Sequence, residues 1–200
     1  MAGRFRPGEK LTIRAVAAAL EVSLTPAREA LFNLVAEGAL ESGPNGSVHV
    51  PSLDEARITE ITRIRLALEG LAAREAAPLM DDMAIEDARR LNDLIIKADR
   101  KQDYAAVIRH NWQFHFRVYE CARMPVLVRM IESCWLSTGA TLNLIYPDYG
   151  KLDDGIKNHL AIIAAIERRD AVALEASIRR DIEFASKALI KAIRAASELQ

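Results

Sequence analysis

Residues 23–31 read SLTPAREAL, between two apolar segments, LTIRAVAAALEV at 11–22 and FNLVAEGAL at 32–40. Thr25 can cap a helix with its side-chain oxygen. Pro26 suits a first helical position, because its missing N–H would have no partner there. A helix starting at Pro26 is therefore predicted. Ser23, Thr25 and Arg28 then cluster near its N-terminus, where unpaired N–H groups and the helix dipole attract an anion such as a phosphate. Upstream, Thr12 is predicted to cap a first helix with Ile13, Val16, Ala17 and Leu20 on one face, and 21–24 to form the turn between the two. The second helix turns Ala27, Ala30, Leu31, Leu34 and Val35 inward and Arg28, Glu29 and Phe32 or Asn33 outward, and Gly38 ends it. Two short strands, near 39–42 and 47–50, then flank the turn Gly43-Pro44-Asn45-Gly46.

Helix, short turn, helix and hairpin make a winged helix-turn-helix, expected over residues 1–52. The second helix of this motif enters the DNA major groove with its N-terminal residues first. Ser23 and Thr25 are then expected to bond phosphates, and Arg28 to reach a guanine edge or a phosphate. Arg14 is placed against the backbone from the first helix, and Asn45, Gly46 or His49 from the wing. Charge alone does not make this case. The segment carries five basic residues (Arg4, Arg6, Lys10, Arg14, Arg28) and five acids (Glu9, Glu21, Glu29, Glu37, Glu41), and the whole chain has a net charge of −1. Non-specific DNA affinity comes mostly from basic charge, so the placement of these residues must carry the reading.

The chain has 200 residues, 50% hydrophobic and 28% charged, with Gly and Pro scarce. That is enough for one or two domains with substantial cores and leans helical. No apolar run approaches membrane-spanning length, and MAGRFRPGEK has no apolar core for a signal peptide, so a cytoplasmic location with no membrane partner is expected. Cys121 and Cys134 have no metal-ligand spacing and are read as buried reduced thiols.

After Pro51-Ser52, residues 53–200 are read as an all-α antiparallel bundle, making the protein mainly α. Helices are expected near 54–77, 83–100, 103–122, 125–146, 152–168 and 170–197, separated by Pro78, Asp81-Asp82, Gln102, Met124-Pro125, Pro147 to Gly150, and Asp170. Ile61, Ile64, Leu68 and Leu71 space 3-4-3 like a bundle seam. Three stripes carry polar groups: Tyr104, Val107, Ile108, Asn111, His115 and Val118 in the third helix; Ile156, His159, Leu160 and Ile163 in the fifth; Leu174, Ile178, Asp181, Ile182 and Ala185 in the last. Buried polar groups need partners. Asn111, His115, His159 and Asp181 can partner one another directly, or through a divalent ion such as Zn²⁺, Ni²⁺ or Mn²⁺.

The string GRFRPGEKL…SLTPAREALFNLVAEGAL closely resembles the DNA-binding domain of GntR-family bacterial transcription regulators. Pro7-Gly8, Ser23, Pro26, Arg28 to Leu31, Glu37-Gly38 and Val50 match its pattern. Leu24 stands where the family usually has Arg. The family also begins with a further helix before the segment at which this sequence starts, so either a start lies upstream or this unit lacks one wall. Residues 54–195 resemble the FadR-C-terminal (FCD) ligand-binding domain, through Ile64-Arg65, Leu68-Glu69, Phe114-His115, Asn158-His159, Ile162, Ala165-Ile166 and Arg179 to Ile182. Metal-binding members place Asp-x-x-x-His on the third helix and one His on each of the other two. Here Asn111 replaces the Asp and Asp181 replaces the last His, which keeps one carboxylate and drops one imidazole.

The resemblance implies a homodimer on a palindromic double-stranded operator, with a small carboxylate effector above the metal. Arg65 is the candidate anchor, a salt bridge to Glu69 at the surface being its other reading; Asn143 and Tyr146 are candidate pocket residues, and Trp112 and Trp135 are read as packing. The competing class is a metal-dependent enzyme acting on a small acid. The chain has no HExxH, no Glu-x-x-His pair and no nucleophile elbow, which argues against it.

Overall fold

A computed structural model describes residues 7–139, 141–146 and 154–197. Within it the side chains of Asn45 and Asn143 lie outside the described residues, as does the expected break at Pro147 to Gly150. The N-terminal part runs β1 (Lys10–Leu11), α1 (Ile13–Leu20), α2 (Leu24–Ala36), β2 (Glu41–Ser42) and β3 (Val48–His49). Thr12 caps α1 by accepting from the Ala15 N–H at 3.2 Å. The second helix begins two residues earlier than expected. Ser23, not Thr25, is its N-cap, and it makes no side-chain capping bond. Pro26 still falls in the first turn, where no N–H is required of it. Gly38 ends the helix at φ +72°, a conformation that favours glycine because a Cβ would crowd the neighbouring carbonyl.

The hairpin forms, with a 3₁₀ turn at Pro44–Gly46. A third strand, β1, joins it, so β3 is central and antiparallel to both neighbours, with Lys10 and Glu41 opposite His49. Two residues are too few to show alternation, so β1 left no mark in the sequence. Leu11, Leu31, Leu40, Val48 and Val50 form the core of this unit, with Ile13, Val16, Leu34 and Val35 packed around them. Leu20 and Ala30, expected inside, are exposed, Leu20 at 61%. Leu24 and Phe32 are also more than half exposed.

The rest is helical: α3 (Glu55–Ala76), α4 (Asp82–Arg100), α5 (Tyr104–Glu120), α6 (Pro125–Gly139), α7 (Asp154–Glu167) and α8 (Ala171–Ser197). The fourth bundle helix ends at Gly139 rather than 146, and a 3₁₀ stretch at Thr141–Ile145 follows. Asp54, Asp81 and Asp103 cap α3, α4 and α5 through the N–H groups of Arg57, Ala84 and Ala106. Helix α3 lies along α8 and also packs on α5 and α6; α4 packs on α5, and α7 on α8. Ala72, Ala73 and Ala76 are fully buried, small enough to bring the α3 backbone close to its neighbours.

The expected seam on α3 divides. Ile61 is buried and Leu68 packs on the core, but Ile64 and Leu71 are each 42% exposed. In α7, Leu160 also faces outward. Cys121 and Cys134 are free and half-buried. Among the described residues no helix is long and apolar enough to cross a membrane. The two units touch where the Ser137 hydroxyl on α6 shares its proton between the Ser133 carbonyl at 2.9 Å and the Gly38 carbonyl at 3.1 Å. Gly38→Ala forces a Cβ into the left-handed region and is expected to destabilise the winged unit by about 1–2 kcal/mol. Denaturant unfolding followed by circular dichroism measures it.

Candidate functional site

Helices α5, α7 and α8 bring His115, His159 and Asp181 together in the interior, each less than 10% exposed. Their ligand atoms lie within 4.8 Å of one another. His115 Nε2 is 3.3 Å from Asp181 Oδ2. Two donors bound tetrahedrally to one zinc-sized ion would stand about 3.3 Å apart.

The surrounding bonds fix which ring atoms face this centre. Burial, then the nearby Glu69 charge, pushes the Tyr119 phenol well up, so it keeps its proton. It donates that proton to Glu69 Oε2 at 2.5 Å. The Tyr119 oxygen, 3.2 Å from His115 Nδ1, is then left to accept from the Nδ1–H. In the neutral ring Nε2 is therefore a lone pair, aimed at a carboxylate. His159 Nδ1 lies 3.2 Å from Asn92 Oδ1, an acceptor, which likewise leaves Nε2 unprotonated. Burial lowers the His159 pKa to about 4, so the ring is neutral at pH 7. His115 Nε2 and Asp181 Oδ1 are buried without a hydrogen-bond partner among the described residues. Two lone pairs beside a carboxylate suit a divalent cation, and buried orphans of this kind are otherwise costly. The residues present fit a metal ion.

Beneath this centre lies Glu69, which is fully buried. Arg65 donates from Nε to Oε1 at 2.6 Å and from NH2 to Oε2 at 3.3 Å, and Trp135 Nε1 donates to Oε1 at 3.1 Å. The Arg65–Glu69 bridge is thus real but internal, not at the surface. Burial opposes the Arg65 charge, but the Glu69 carboxylate outweighs it and holds the guanidinium protonated. The guanidinium carbon also sits 4.5 Å from the centre of the Trp135 ring, a cation–π contact. Trp135 is therefore part of the site and not packing alone. Trp112 is a packing residue, stacked on Phe116 at 4.6 Å.

Above the centre is a cavity of about 70 Å³, several times the roughly 10–15 Å³ that one water needs. Arg65, Asn111, Trp135, Tyr146, His159 and Asp181 line it. Asn111 is thus brought to the cavity wall, one turn before His115. Sequence reading missed Glu69, Asn92 and Tyr119. The signals were present: Glu69 lies on the stripe Ile58, Ile61, Arg65, Ala72 and Ala76, and Tyr119 is four residues past His115. Asp99, also on the cavity wall, was missed as well.

In the winged unit Arg14, Ser23, Thr25, Arg28 and Gly46 are exposed. Neither Arg14 nor Arg28 has an ion-pair partner among the described residues. His49 is half-buried, with Nε2 2.9 Å from Ser47 Oγ, which ties it into the wing.

A winged helix-turn-helix joined to a helical bundle with an internal pocket defines a class, the effector-domain transcription regulators. The comparisons identify the family. Residues 1–50 match bacterial regulatory proteins of the gntR family, and residues 60–184 match the FCD domain. The chain is 31% identical over 170 residues to the HTH-type transcriptional regulator McbR of Escherichia coli K12, covering 84% of this chain and 77% of that protein. It is 24% identical over 186 residues to the transcriptional repressor RspR of the same organism, covering 92% and 80%. The solved structure of E. coli McbR/YncC superposes with a TM-score of 0.89 at 28% identity, covering 95% of this chain and 91% of that one. A GntR regulator from Rhodococcus sp. RHA1 shares the fold at a TM-score of 0.78 and 20% identity, covering 95% and 91%.

The chain belongs to the gntR family and carries an FCD domain. It is a DNA-binding transcriptional regulator and not an enzyme.

Glu69→Ala leaves Arg65 charged and buried without its partner, and is expected to cost about 3–5 kcal/mol. Glu69→Gln, which keeps the shape, is expected to cost less. Denaturant unfolding of both variants checks the order.

Proposed function

We propose that this regulator works as a cytoplasmic homodimer that binds a palindromic operator and answers to a small carboxylate metabolite held beside a divalent metal. Residues 1–52 form the DNA-binding unit and residues 53–200 the effector and dimerisation unit. On the DNA side, Ser23 and Thr25 meet phosphates, Arg28 enters the major groove, Arg14 meets the backbone, and Asn45, Gly46 and His49 belong to the wing. The exposure of Arg14 and Arg28, with no competing acid among the described residues, supports this. The outward Ile64 and Leu71 on α3 support a partner copy, because exposed apolar side chains at seven-residue spacing favour a second helix.

One observation carries the effector reading: the buried lone pairs of His115 and His159 face the Asp181 carboxylate at the floor of a cavity that Arg65 also lines. His115, His159 and Asp181 would hold the ion, and Asn111 stands beside them as a weaker oxygen donor. Bound there, the ion supplies a positive charge with open positions for a carboxylate or hydroxyl oxygen. Arg65, fixed by Glu69, turns its remaining N–H donors toward the same acid. Tyr119 and Asn92 hold the two rings in the ligating tautomer, and Tyr146 lines the pocket.

Effector binding then biases the DNA-binding units along two routes. Helix α3, which follows β3 directly, carries Arg65. Helix α6 carries Trp135 and, half a turn on, Ser137 at the end of α2. To switch, the ligand must prefer one arrangement over the other.

Fluorescence anisotropy against tiled DNA flanking the gene tests the first half. Saturable binding to one tile, weakened about tenfold or more by Arg28→Ala, is the expected result, since a good base or phosphate contact contributes about 1–3 kcal/mol. Elemental analysis of protein purified without chelator or affinity tag tests the second. Near-stoichiometric metal is expected, lost in His115→Ala and bound about tenfold or more weakly in Tyr119→Phe. Metal that stays sub-stoichiometric in the unsubstituted protein overturns the metal reading.

A further inference from the structure

The cavity has a second charged wall. Asp99, in the last turn of α4, lines it, and among the described residues no hydrogen bond or ion pair engages its carboxylate. The end of a helix adds the negative pole of its dipole to that charge. Asp99 shares that cavity with His159 and Asp181, yet neither is among the groups that act on its carboxyl. Asn92, which holds His159, lies on the same helix, seven residues earlier. Seven residues are two turns, so the two side chains share a face about 10 Å apart. The charges agree with that separation. Arg65 feels Glu69, Tyr119 and Asp181, whereas burial alone raises the Asp99 carboxyl. Tyr146 is the wall residue that feels both acids: burial, then the Asp99 charge, then the Asp181 charge push its phenol up, and its ring stacks on Tyr104 at 4.9 Å. Between the two ends the wall is apolar, with Ile95, Val107, Ile108, Ile156 and Ile182.

A simple fatty or dicarboxylic acid does not match this layout. An aliphatic tail would leave Asp99 desolvated and unpaired, and a second carboxylate would meet a like charge. A cation matches it: the carboxylate offers a charge-assisted bond and the tyrosine ring a π face.

We propose that the effector is a zwitterion, with a carboxylate at the Arg65 and metal end and an ammonium group at the other, and that Asp99 selects the ammonium. This rests on the carboxylate-binding reading above and adds the chemical class of the ligand. An ω-amino acid with an apolar middle presents these three groups in that order.

Isothermal titration of the metal-loaded full chain with matched pairs tests it: ω-amino acids of four to six carbons, each against the unsubstituted acid of the same length. For at least one length the amino acid is expected to bind about tenfold or more tightly, the contribution of one charge-assisted contact. Asp99→Asn is expected to remove that preference by weakening the amino acid, while the unsubstituted acid binds at least as tightly as before because no charge is left unpaired beside its tail, which also shows that the variant is folded. Equal affinity within every pair, or a preference that survives Asp99→Asn, overturns the role of Asp99 and leaves the carboxylate site standing. Binding of neither member of any pair overturns the carboxylate site itself, and this proposal with it.

Discussion

The bundle is organised around one carboxylate that has no contact with water. Glu69 sits inside α3 and receives donors from Arg65 on its own helix, Tyr119 on α5 and Trp135 on α6. An ionised group in so apolar a place is tolerable only when its oxygens are fully engaged. That requirement fixes the rotation of three helices about their axes at once. It also fixes the cavity, because Arg65 and Trp135 are wall residues and Tyr119 sets the tautomer of His115. The bonds that satisfy the buried acid are here the bonds that shape the cavity wall.

From that point the polar groups are ordered in depth. Glu69 lies lowest, Tyr119 and His115 above it, then Asp181 and His159, then the open volume. Tyr119 and His115 are each oriented by the group below, and His159 by Asn92 from α4. The His115 lone pair points upward because the Tyr119 proton points downward. Positive charge at the floor of the cavity is therefore favoured by the hydrogen-bond directions as well as by the acidic side chain.

Much of this was legible in the residues, and the failures have physical causes. The 3.6-residue spacing placed His115, His159 and Asp181 on inward stripes, and the structure brings the three together. Helix existence was readable throughout the bundle, yet some ends were not. Glu21, Gln102, Arg123 and Arg169 take positive φ at helix ends, so the usual glycine signal is missing there. Strand β1 is too short to show a period. The double-faced character of α3 was hidden because an apolar side chain looks the same whether it meets its own bundle or the outside. Glu69 was seen only as a partner for Arg65: periodicity says that a position is buried, but not that an acid there will find four donors from three helices. Leu20 and Ala30 follow the same logic in reverse. Their spacing is helical, but the surface that would cover them is not supplied by the residues around them.

The contact between Ser137 and Gly38 has a consequence for how such a protein diversifies. The hydroxyl meets a main-chain carbonyl, so it is blind to the side chains that α2 exposes. Exposed residues such as Arg28 can be replaced without altering the carbonyl that α6 contacts. The hydroxyl also has a second acceptor of its own in the Ser133 carbonyl. Letting go of Gly38 strands no proton and exposes no unpaired donor, so the connection can open and close at little cost. A join that ignores sequence and parts easily lets one bundle accept many versions of α2.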